Sequence, residues 1–202
     1  MELRKHQNTA IEMVRGSFQR GNRRVMLAAC CSFGKTITAA YMMKCAAERG
    51  KKVIFMADRV RLVEQTMDAF SIMGLDYGVI QADHWKTDPS KQIQIASIQT
   101  IARRRHPPEF DFAIVDEAHT PWKTVTGLMD RYTNVRFLGL SATPYSKGLG
   151  KFWDDLVVPC TASDLLEQGY LAPVHLKLKL SRLAVATTIQ MISPGRQKKT
   201  SI

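Results

Sequence analysis

Short apolar runs alternate with segments of helical periodicity along most of this chain, and that alternation limits the fold more than any other feature. The runs are four to six residues long and lie at 25–29, 53–57, 77–80, 93–96, 112–115 and 135–140. Such short, mostly apolar runs are typical of strands that are buried on both faces. Strands separated by crossover helices form a mostly parallel sheet. We therefore expect an α/β domain with helices on both faces of its sheet.

Glycines follow the segments of helical periodicity that lie before and between these runs. Helices are expected at about 7–19, 35–48 and 62–70, and they are followed by Gly21, Gly50 and Gly74. Glycine is the residue that most often ends a helix. A further helix is expected near 163–168.

The pattern changes around Pro173, so the sequence predicts a domain over residues 1–173 and a linker or tail over residues 174–202. Within the tail, an edge strand is expected at 175–180. The apolar run at 183–192 suits a linker and equally an extra strand or helix, and the last ten residues read as a loop.

Charge and cysteine usage narrow the class of protein. The chain has 29 Lys and Arg against 18 Asp and Glu, and the segment from Lys177 to the end adds six basic residues without an acid. This balance suits a protein that contacts phosphate backbones, although many ordinary proteins are equally basic. No apolar stretch is long enough to span a bilayer, and the four cysteines form no C-x-x-C pair. We expect a cytoplasmic protein without a zinc site or a disulfide framework.

A phosphate-binding loop is predicted after the first apolar run. Residues 29–36 match the pattern G-x-x-x-x-G-K-[ST], with alanine in the first glycine position and Ser32 in a crowded part of the turn. Such a turn points backbone N–H groups at phosphate oxygens where a helix begins. Gly34 is expected to let the backbone approach the phosphates, Lys35 to reach the β- and γ-phosphates, and Thr36 to bind Mg²⁺. The alternative is a chance Gly-Lys-Thr sequence in an ordinary turn.

Two adjacent carboxylates, Asp116 and Glu117, follow directly on the apolar run at 112–115. Ligands of open parallel sheets bind at the carboxyl ends of the strands, which is where this pair is expected. We expect Asp116 to hold Mg²⁺ and Glu117 to take a proton from an attacking water molecule. The alternative is a surface pair that caps the next helix, but this leaves its position downstream of a phosphate loop unexplained.

Three motifs in this order resemble superfamily 2 helicases and translocases: residues 34–36, then Asp-Glu-Ala-His at 116–119, then Ser-Ala-Thr at 141–143. The resemblance covers residues 3–173. Within the superfamily, the sequence resembles in particular the motor subunits of type I and III restriction enzymes and phage or organellar DEAH helicases. It implies a RecA-like P-loop domain that uses ATP and Mg²⁺. It also implies further roles, namely nucleotide binding by Arg4, Gln7 and Ser32, with Gln7 reading the adenine edge, and coupling of hydrolysis to domain movement by His119, Ser141 and Thr143.

The same resemblance implies contacts to a nucleic-acid backbone, to DNA rather than RNA, from four residues: Arg59, Ser97, Gln99 and Thr100. Thr100 has an alternative role as the cap of a helix that begins near residue 101. The basic run at 103–106 is interpreted as a solvated helix face, and the alternative is that it widens the nucleic-acid track. Trp85 lies in a polar loop, where stacking on a base competes with the more common fate of packing.

No segment of the sequence resembles the second RecA-like domain that completes a motor of this family. We expect that domain elsewhere in a full-length protein or in a partner chain, because it supplies the arginine fingers of catalysis. An excised piece, a truncated gene and a natural half-motor remain open. The chain is expected to be inactive alone, and a binding module without turnover is the competing interpretation. A phosphotransferase is disfavoured by the Ser-Ala-Thr match.

Overall fold

The computed structural model describes residues 2–171 and contains a seven-stranded sheet in which every pairing is parallel. The strands are β1 Arg24–Ala28, β2 Val53–Ala57, β3 Tyr77–Ile80, β4 Ile93–Ser97, β5 Phe112–Val115, β6 Arg136–Ser141 and β7 Asp155–Val157. Their order across the sheet is β3-β4-β2-β5-β6-β1-β7. The predicted α/β fold with a parallel sheet is confirmed.

Six α-helices and one short 3-10 helix connect the strands of the described segment. They are α1 Lys5–Gln19, α2 Lys35–Ala47, α3 Val60–Ile72, α4 Ile98–Arg103, α5 Lys123–Arg131 and α6 Ala162–Glu167, with the 3-10 turn at Leu149–Lys151. Gly21, Gly50 and Gly74 have φ values of 96°, 74° and 66° beyond the ends of α1, α2 and α3. These left-handed conformations explain why glycine follows each helix.

The sheet is covered on both faces, and successive residues of a strand pack into different cores. In β2, Val53 and Phe55 belong to one apolar cluster, whereas Ile54 and Met56 belong to the other. The first cluster lies under α1, α2 and α3, and the second lies under α4 and α5. Burial on both faces is the reason that the strands read as continuous apolar runs.

Strand β7 was not predicted, because its residues are too few and too mixed to give a strand signal. Its neighbour Asp154 accepts hydrogen bonds from the backbone N–H groups of Arg23 and Arg24, both at 2.8 Å. Asp155 accepts a hydrogen bond from the buried hydroxyl of Ser17. Two carboxylates therefore fix the edge strand to the end of α1 and the start of β1.

Two further corrections concern α4, which the sequence places too late, near residue 101, and α5, which the sequence does not predict. Helix α4 begins at Ile98, directly after β4, because Ser97 is its N-cap and accepts a hydrogen bond from the backbone N–H of Thr100. The alternative role of Thr100 as the cap of a later helix is therefore wrong. The helix ends at Arg103, so most of the basic run at 103–106 lies in the exposed loop after it and not on a helix face.

The expectations for residues 174–202 lie outside the described residues. Within residues 2–171, no helix has both the length and the apolar composition needed to cross a bilayer.

Candidate functional site

The loop between β1 and α2 has a compact backbone that is anchored from below by a buried side chain. Phe33 is fully buried, and its backbone N–H donates to the carbonyl of Cys30 at 3.2 Å. Ser32 and Gly34 have φ values of 64° and 85°. Ser32 therefore holds the left-handed conformation that serine adopts only at an energetic cost. The expectation of a crowded, strained turn at Ser32 agrees with this geometry.

Helix α1 packs its first turn against this loop. The amide nitrogen of Gln7 donates to the carbonyls of Phe33 and Gly34, at 3.3 Å each, and its oxygen accepts from the backbone N–H of Arg4. The guanidinium of Arg4 donates to the carbonyl of Ser32 at 3.4 Å. Both residues therefore lie beside the predicted phosphate loop. Both amide hydrogens of Gln7 are directed to the loop itself in this structure.

Tyr170 also lies at this corner of the molecule, and the sequence analysis missed it. Its ring is 4.5 Å from the guanidinium carbon of Arg4 and 5.2 Å from the imidazole of His6. The Nε2–H of His6 in turn donates to the carbonyl of Phe33 at 3.0 Å. No sequence signal could have joined Tyr170 to Arg4, because they lie at opposite ends of the described segment and meet only in the folded chain.

The two predicted carboxylates stand at the carboxyl end of β5, as expected. Lys35 from the start of α2 brings its ammonium nitrogen to 3.9 Å from Oε1 of Glu117. The backbone of Glu117 has a φ of 48°, a conformation that is uncommon for a non-glycine residue. Lys35 follows β1 and Glu117 follows β5. The structure thus brings the lysine of the phosphate loop and the carboxylate of the acidic motif together across β6, the strand between them.

Asp116, the first of the two carboxylates, is half-buried. Burial raises the pKa of Asp116 above its usual range, and the charge of Glu117 raises it further. The Glu117 N–H, which donates to Oδ1 of Asp116 at 3.0 Å, and the charge of Lys35 act in the opposite direction. A bound cation would stabilise the ionised form of a carboxylate that has these neighbours. Thr36, one residue after Lys35, is half-buried at the same corner.

A chain of polar contacts leads from Glu117 to the end of β6. Nδ1 of His119 lies 3.2 Å from Oε2 of Glu117 and 3.0 Å from Oγ of Ser141. The hydroxyl of Ser141, which is fully buried, also accepts the backbone N–H of Thr143 at 3.0 Å. The three residues expected to couple hydrolysis to movement therefore form a chain of contacts, and His119 joins this chain to the predicted catalytic carboxylate.

The predicted nucleic-acid residues lie at the carboxyl ends of β2 and β4, on the other half of the same sheet edge. Arg59 extends an 82% exposed side chain, whereas Ser97 is buried and uses its hydroxyl as the cap of α4. Gln99 donates to a carboxylate oxygen of Asp58. Thr100 accepts a long hydrogen bond of 3.4 Å from the backbone of Ala82. Of the four, Arg59 and Gln99 are exposed, Thr100 is half-buried and Ser97 is buried.

Comparison with known proteins supports the assignment that the motifs suggested. Residues 1–146 match the family described as the type III restriction enzyme res subunit. The EcoAI type I restriction endonuclease subunit of Escherichia coli is 26% identical over 192 residues, which cover 84% of this chain and 23% of that protein. The EcoKI endonuclease subunit of E. coli strain K12 is 31% identical over 133 residues, which cover 58% of this chain and 11% of that protein. The chain thus spans less than a quarter of either relative.

Solved structures agree on the fold. The type ISP restriction-modification enzyme LlaGI, in complex with a DNA substrate mimic, superposes with a TM-score of 0.67 at 19% identity, covering 84% of this chain and 21% of that one. The UvsW helicase of bacteriophage T4 superposes with a TM-score of 0.65 at 19% identity, covering 79% of this chain and 61% of that one. The chain belongs to the family of type III restriction-enzyme res subunits.

Proposed function

We propose that this chain is the ATP-binding half of a nucleic-acid-dependent ATPase, a helicase or translocase. The observation that carries the proposal is the position of Glu117, whose carboxylate lies between the ammonium of Lys35 and the imidazole of His119. A carboxylate that faces a phosphate-binding lysine on one side and a hydrogen-bonded histidine on the other is suited to accept a proton from water beside a phosphate chain.

The nucleotide site takes its parts from three elements. The phosphate loop, with Gly34 and Ser32, offers backbone N–H groups at the start of α2, and Lys35 offers a positive charge to the β- and γ-phosphates. Thr36 and Asp116 are the residues that would hold Mg²⁺, which neutralises charge on the phosphates when it is bound. The residue types fit this ion, because magnesium prefers hydroxyl and carboxylate oxygens.

Arg4 and Gln7 are proposed to bind the nucleotide from the α1 side, with Gln7 at the adenine edge. Their contacts to the carbonyls of Ser32, Phe33 and Gly34 support binding from the α1 side, because both side chains lie beside the loop that receives the phosphates. Contact of Gln7 with adenine requires its amide to leave these carbonyls. The same contacts would let the loop sense whether the base is bound.

The His119–Ser141–Thr143 contacts suggest how hydrolysis is transmitted. A change in the charge near Glu117 alters what the imidazole of His119 can donate, and Ser141 passes this change to the backbone of Thr143. Thr143 is exposed just beyond β6, where a second domain could respond.

Nucleic acid is proposed to run along the β2 and β4 half of the sheet edge, and DNA is the proposed type. The proposed backbone contacts are Arg59, Ser97, Gln99 and Thr100. Gln99 is exposed and also donates to Asp58, whereas Ser97 is buried and caps the first turn of α4. Such contacts to phosphate and sugar carry no base sequence information.

Binding of a fluorescent ATP analogue with Mg²⁺ tests the nucleotide site in the chain as it stands. We expect the K35A variant to bind roughly 10- to 150-fold more weakly, because a charged contact to phosphate is lost. The E117Q variant should bind as tightly as the unmodified chain, since glutamine removes only the proton acceptor. Equal binding by K35A and the unmodified chain would refute the proposed site.

A second candidate is a binding module that holds nucleotide without turning it over. The chain spans 23% and 11% of the lengths of the two restriction-enzyme subunits that it resembles. A separate alternative is that the domain, proposed to occupy residues 1–173, is the motor half of a larger restriction-type complex. The second RecA-like domain would then come from the rest of the protein beyond a linker at 174–202, or from a partner chain.

A further inference from the structure

The turn that follows β3 stands at the same sheet edge as the proposed nucleic-acid contacts. Strand β3 is an edge strand of the sheet and lies next to β4. After its last residue the chain forms a turn in which Ala82 donates to the hydroxyl of Thr100 at 3.4 Å. The chain then returns along β3, where the carbonyl of Lys86 accepts the N–H of Val79 at 3.0 Å. The residues between Ala82 and Lys86 therefore project from the carboxyl edge.

Trp85 in this turn is exposed, which corrects the interpretation that it packs into the protein. Trp85 is 82% exposed, which is more than any other large apolar residue of the described segment. The imidazole of His84 stacks on the indole, with the ring centroids 5.6 Å apart and the planes at 27°. A single exposed apolar residue is common on protein surfaces, so exposure alone carries little weight. Here, however, the indole is also oriented by a neighbouring ring.

His84 is itself held in place by the backbone of the turn. Its N–H donates to the carbonyl of Gln81, and its carbonyl accepts the N–H of Thr87, both at 3.0 Å. Its Nδ1 accepts the backbone N–H of Lys86 at 3.1 Å. The aromatic pair is therefore built on a hydrogen-bonded turn, so little conformational entropy remains to be lost when a flat ligand stacks on it.

The charges around the turn suit a base better than a phosphate. Asp83 is exposed beside the aromatic pair and would repel a phosphate group. The ammonium of Lys86 lies 3.6 Å from the ring centroid of Tyr77 and is directed to that ring. The phosphate-binding charge at this edge is instead carried by Arg59, two strands away.

Adjacent strands of a sheet lie roughly 4.8 Å apart, so the ends of β2, β4 and β3 form a continuous row. The row presents Arg59, then Thr100, then Trp85. We propose that Trp85, oriented by His84, stacks on an unpaired base of the strand whose backbone contacts Arg59 and Thr100. This inference rests on the proposed function and adds to it a base-stacking contact that favours single-stranded nucleic acid.

Binding of dye-labelled oligonucleotides, measured by fluorescence anisotropy at one fixed salt concentration, tests this inference. Three ligands are compared: a single-stranded DNA oligonucleotide, an oligonucleotide of the same length made entirely of abasic sites, and a blunt duplex. The variants are W85A, W85F and R59A, with I72A as the matched control. Ile72 is 77% exposed at the far end of α3, on the opposite edge of the sheet.

We expect W85A to bind the single strand roughly 5- to 150-fold more weakly, the range of one lost stacking contact. Its binding to the abasic strand and to the duplex should be unchanged, W85F should retain most of the affinity, and I72A should match the unmodified chain. An equal loss on the abasic strand, or no loss with W85A, would overturn the stacking contact.

The R59A variant separates this inference from the proposed function. A loss with R59A on both the normal and the abasic strand, together with an unchanged W85A, would leave the backbone track standing and remove only the stacking. If the unmodified chain bound none of the three ligands, both proposals would fail. Because Trp85 is exposed, W85A is expected to fold, and its thermal unfolding curve checks this.

Discussion

At position 34 the phosphate loop needs a residue that meets two constraints at once. The backbone of Gly34 is left-handed, with a φ of 85°, and an added Cβ would collide with the amide nitrogen of Gln7. The sequence motif indicated a glycine for backbone approach to phosphate. The structure adds that the amide of Gln7 occupies the space where a side chain would stand, so any larger residue here must displace that amide.

We expect Gly34→Ala to weaken binding of the ATP analogue, because the new methyl group displaces Gln7 from the loop. Gly50→Ala is the matched control, since Gly50 has a φ of 74° and open space around its Cα. Both variants should lose about 1 kcal/mol of unfolding free energy from backbone strain. Only Gly34→Ala should also lose nucleotide affinity, measured by titration with the fluorescent analogue. Equal nucleotide binding by the two variants would contradict this account of Gly34.

Among the secondary-structure elements, β7 depends most on side chains from distant parts of the chain. Asp155 accepts hydrogen bonds from Ser17, from the guanidinium of Arg20 at 3.0 Å and from the amide of Asn22 at 3.4 Å. The hydroxyl of Ser17, first, and then the guanidinium hold the pKa of Asp155 below its usual value of 3.8. The edge strand is thus fixed by an ionised carboxylate.

Replacing Asp155 by Asn should lower the free energy of unfolding at neutral pH by about 1–3 kcal/mol, the cost of weakening a charged hydrogen bond to a buried hydroxyl. Because the folded-state pKa of Asp155 is lowered, its contribution is fully present above the unfolded pKa and is lost as pH falls through the folded pKa. The stability difference between the two proteins should therefore shrink when urea unfolding is measured at progressively lower pH, below about 4.

Asp130→Asn is the control for this series. Its carboxylate pairs with Arg24 at 3.2 Å but is 76% exposed, so its removal should change stability little. A stability difference for Asp155→Asn that stayed constant down to the acidic end of the series would contradict the assigned role of the ionised carboxylate.

Across the whole molecule, one edge of the sheet holds both candidate sites. The nucleotide site lies at the ends of β1, β5 and β6, and the nucleic-acid row lies at the ends of β2, β3 and β4. This division follows from the strand order, because β2 and β5 are neighbours at the middle of the sheet. A second domain docked against this edge could contact both ligands at once.

The isolated chain is expected to bind ATP but to show negligible hydrolysis, whether or not nucleic acid is present. In this type of ATPase a catalytic arginine contributes about 10³- to 10⁵-fold in rate, and the second RecA-like domain is expected to supply it. A longer protein that includes that domain should show nucleic-acid-stimulated release of phosphate, and its E117Q variant should not. Stimulated turnover by the isolated chain that disappears in E117Q would show instead that a second copy or an arginine of this chain completes the site.

The sequence alone determined the parallel α/β fold, the phosphate loop and the acidic pair, because each depends on a local pattern. Strands that are buried on both faces consist of consecutive apolar residues, and a left-handed backbone at the start of a helix favours glycine. The sequence did not reveal β7 or the contact between Tyr170 and Arg4, since these depend on residues far apart in the chain. It also placed α4 too late, because Ser97 ends a strand and caps a helix without an intervening turn.

The tertiary structure alone decided which candidate residues meet. Glu117, His119 and Ser141 lie on two different strand ends, and only the adjacency of β5 and β6 brings their side chains within hydrogen-bonding distance. It also decided that Ser97 is buried and Trp85 exposed, which is the reverse of what residue type suggests. A side chain's residue type sets what it can bind, but its accessibility depends on the packing of the neighbouring strands and turns, and the local sequence does not contain that information.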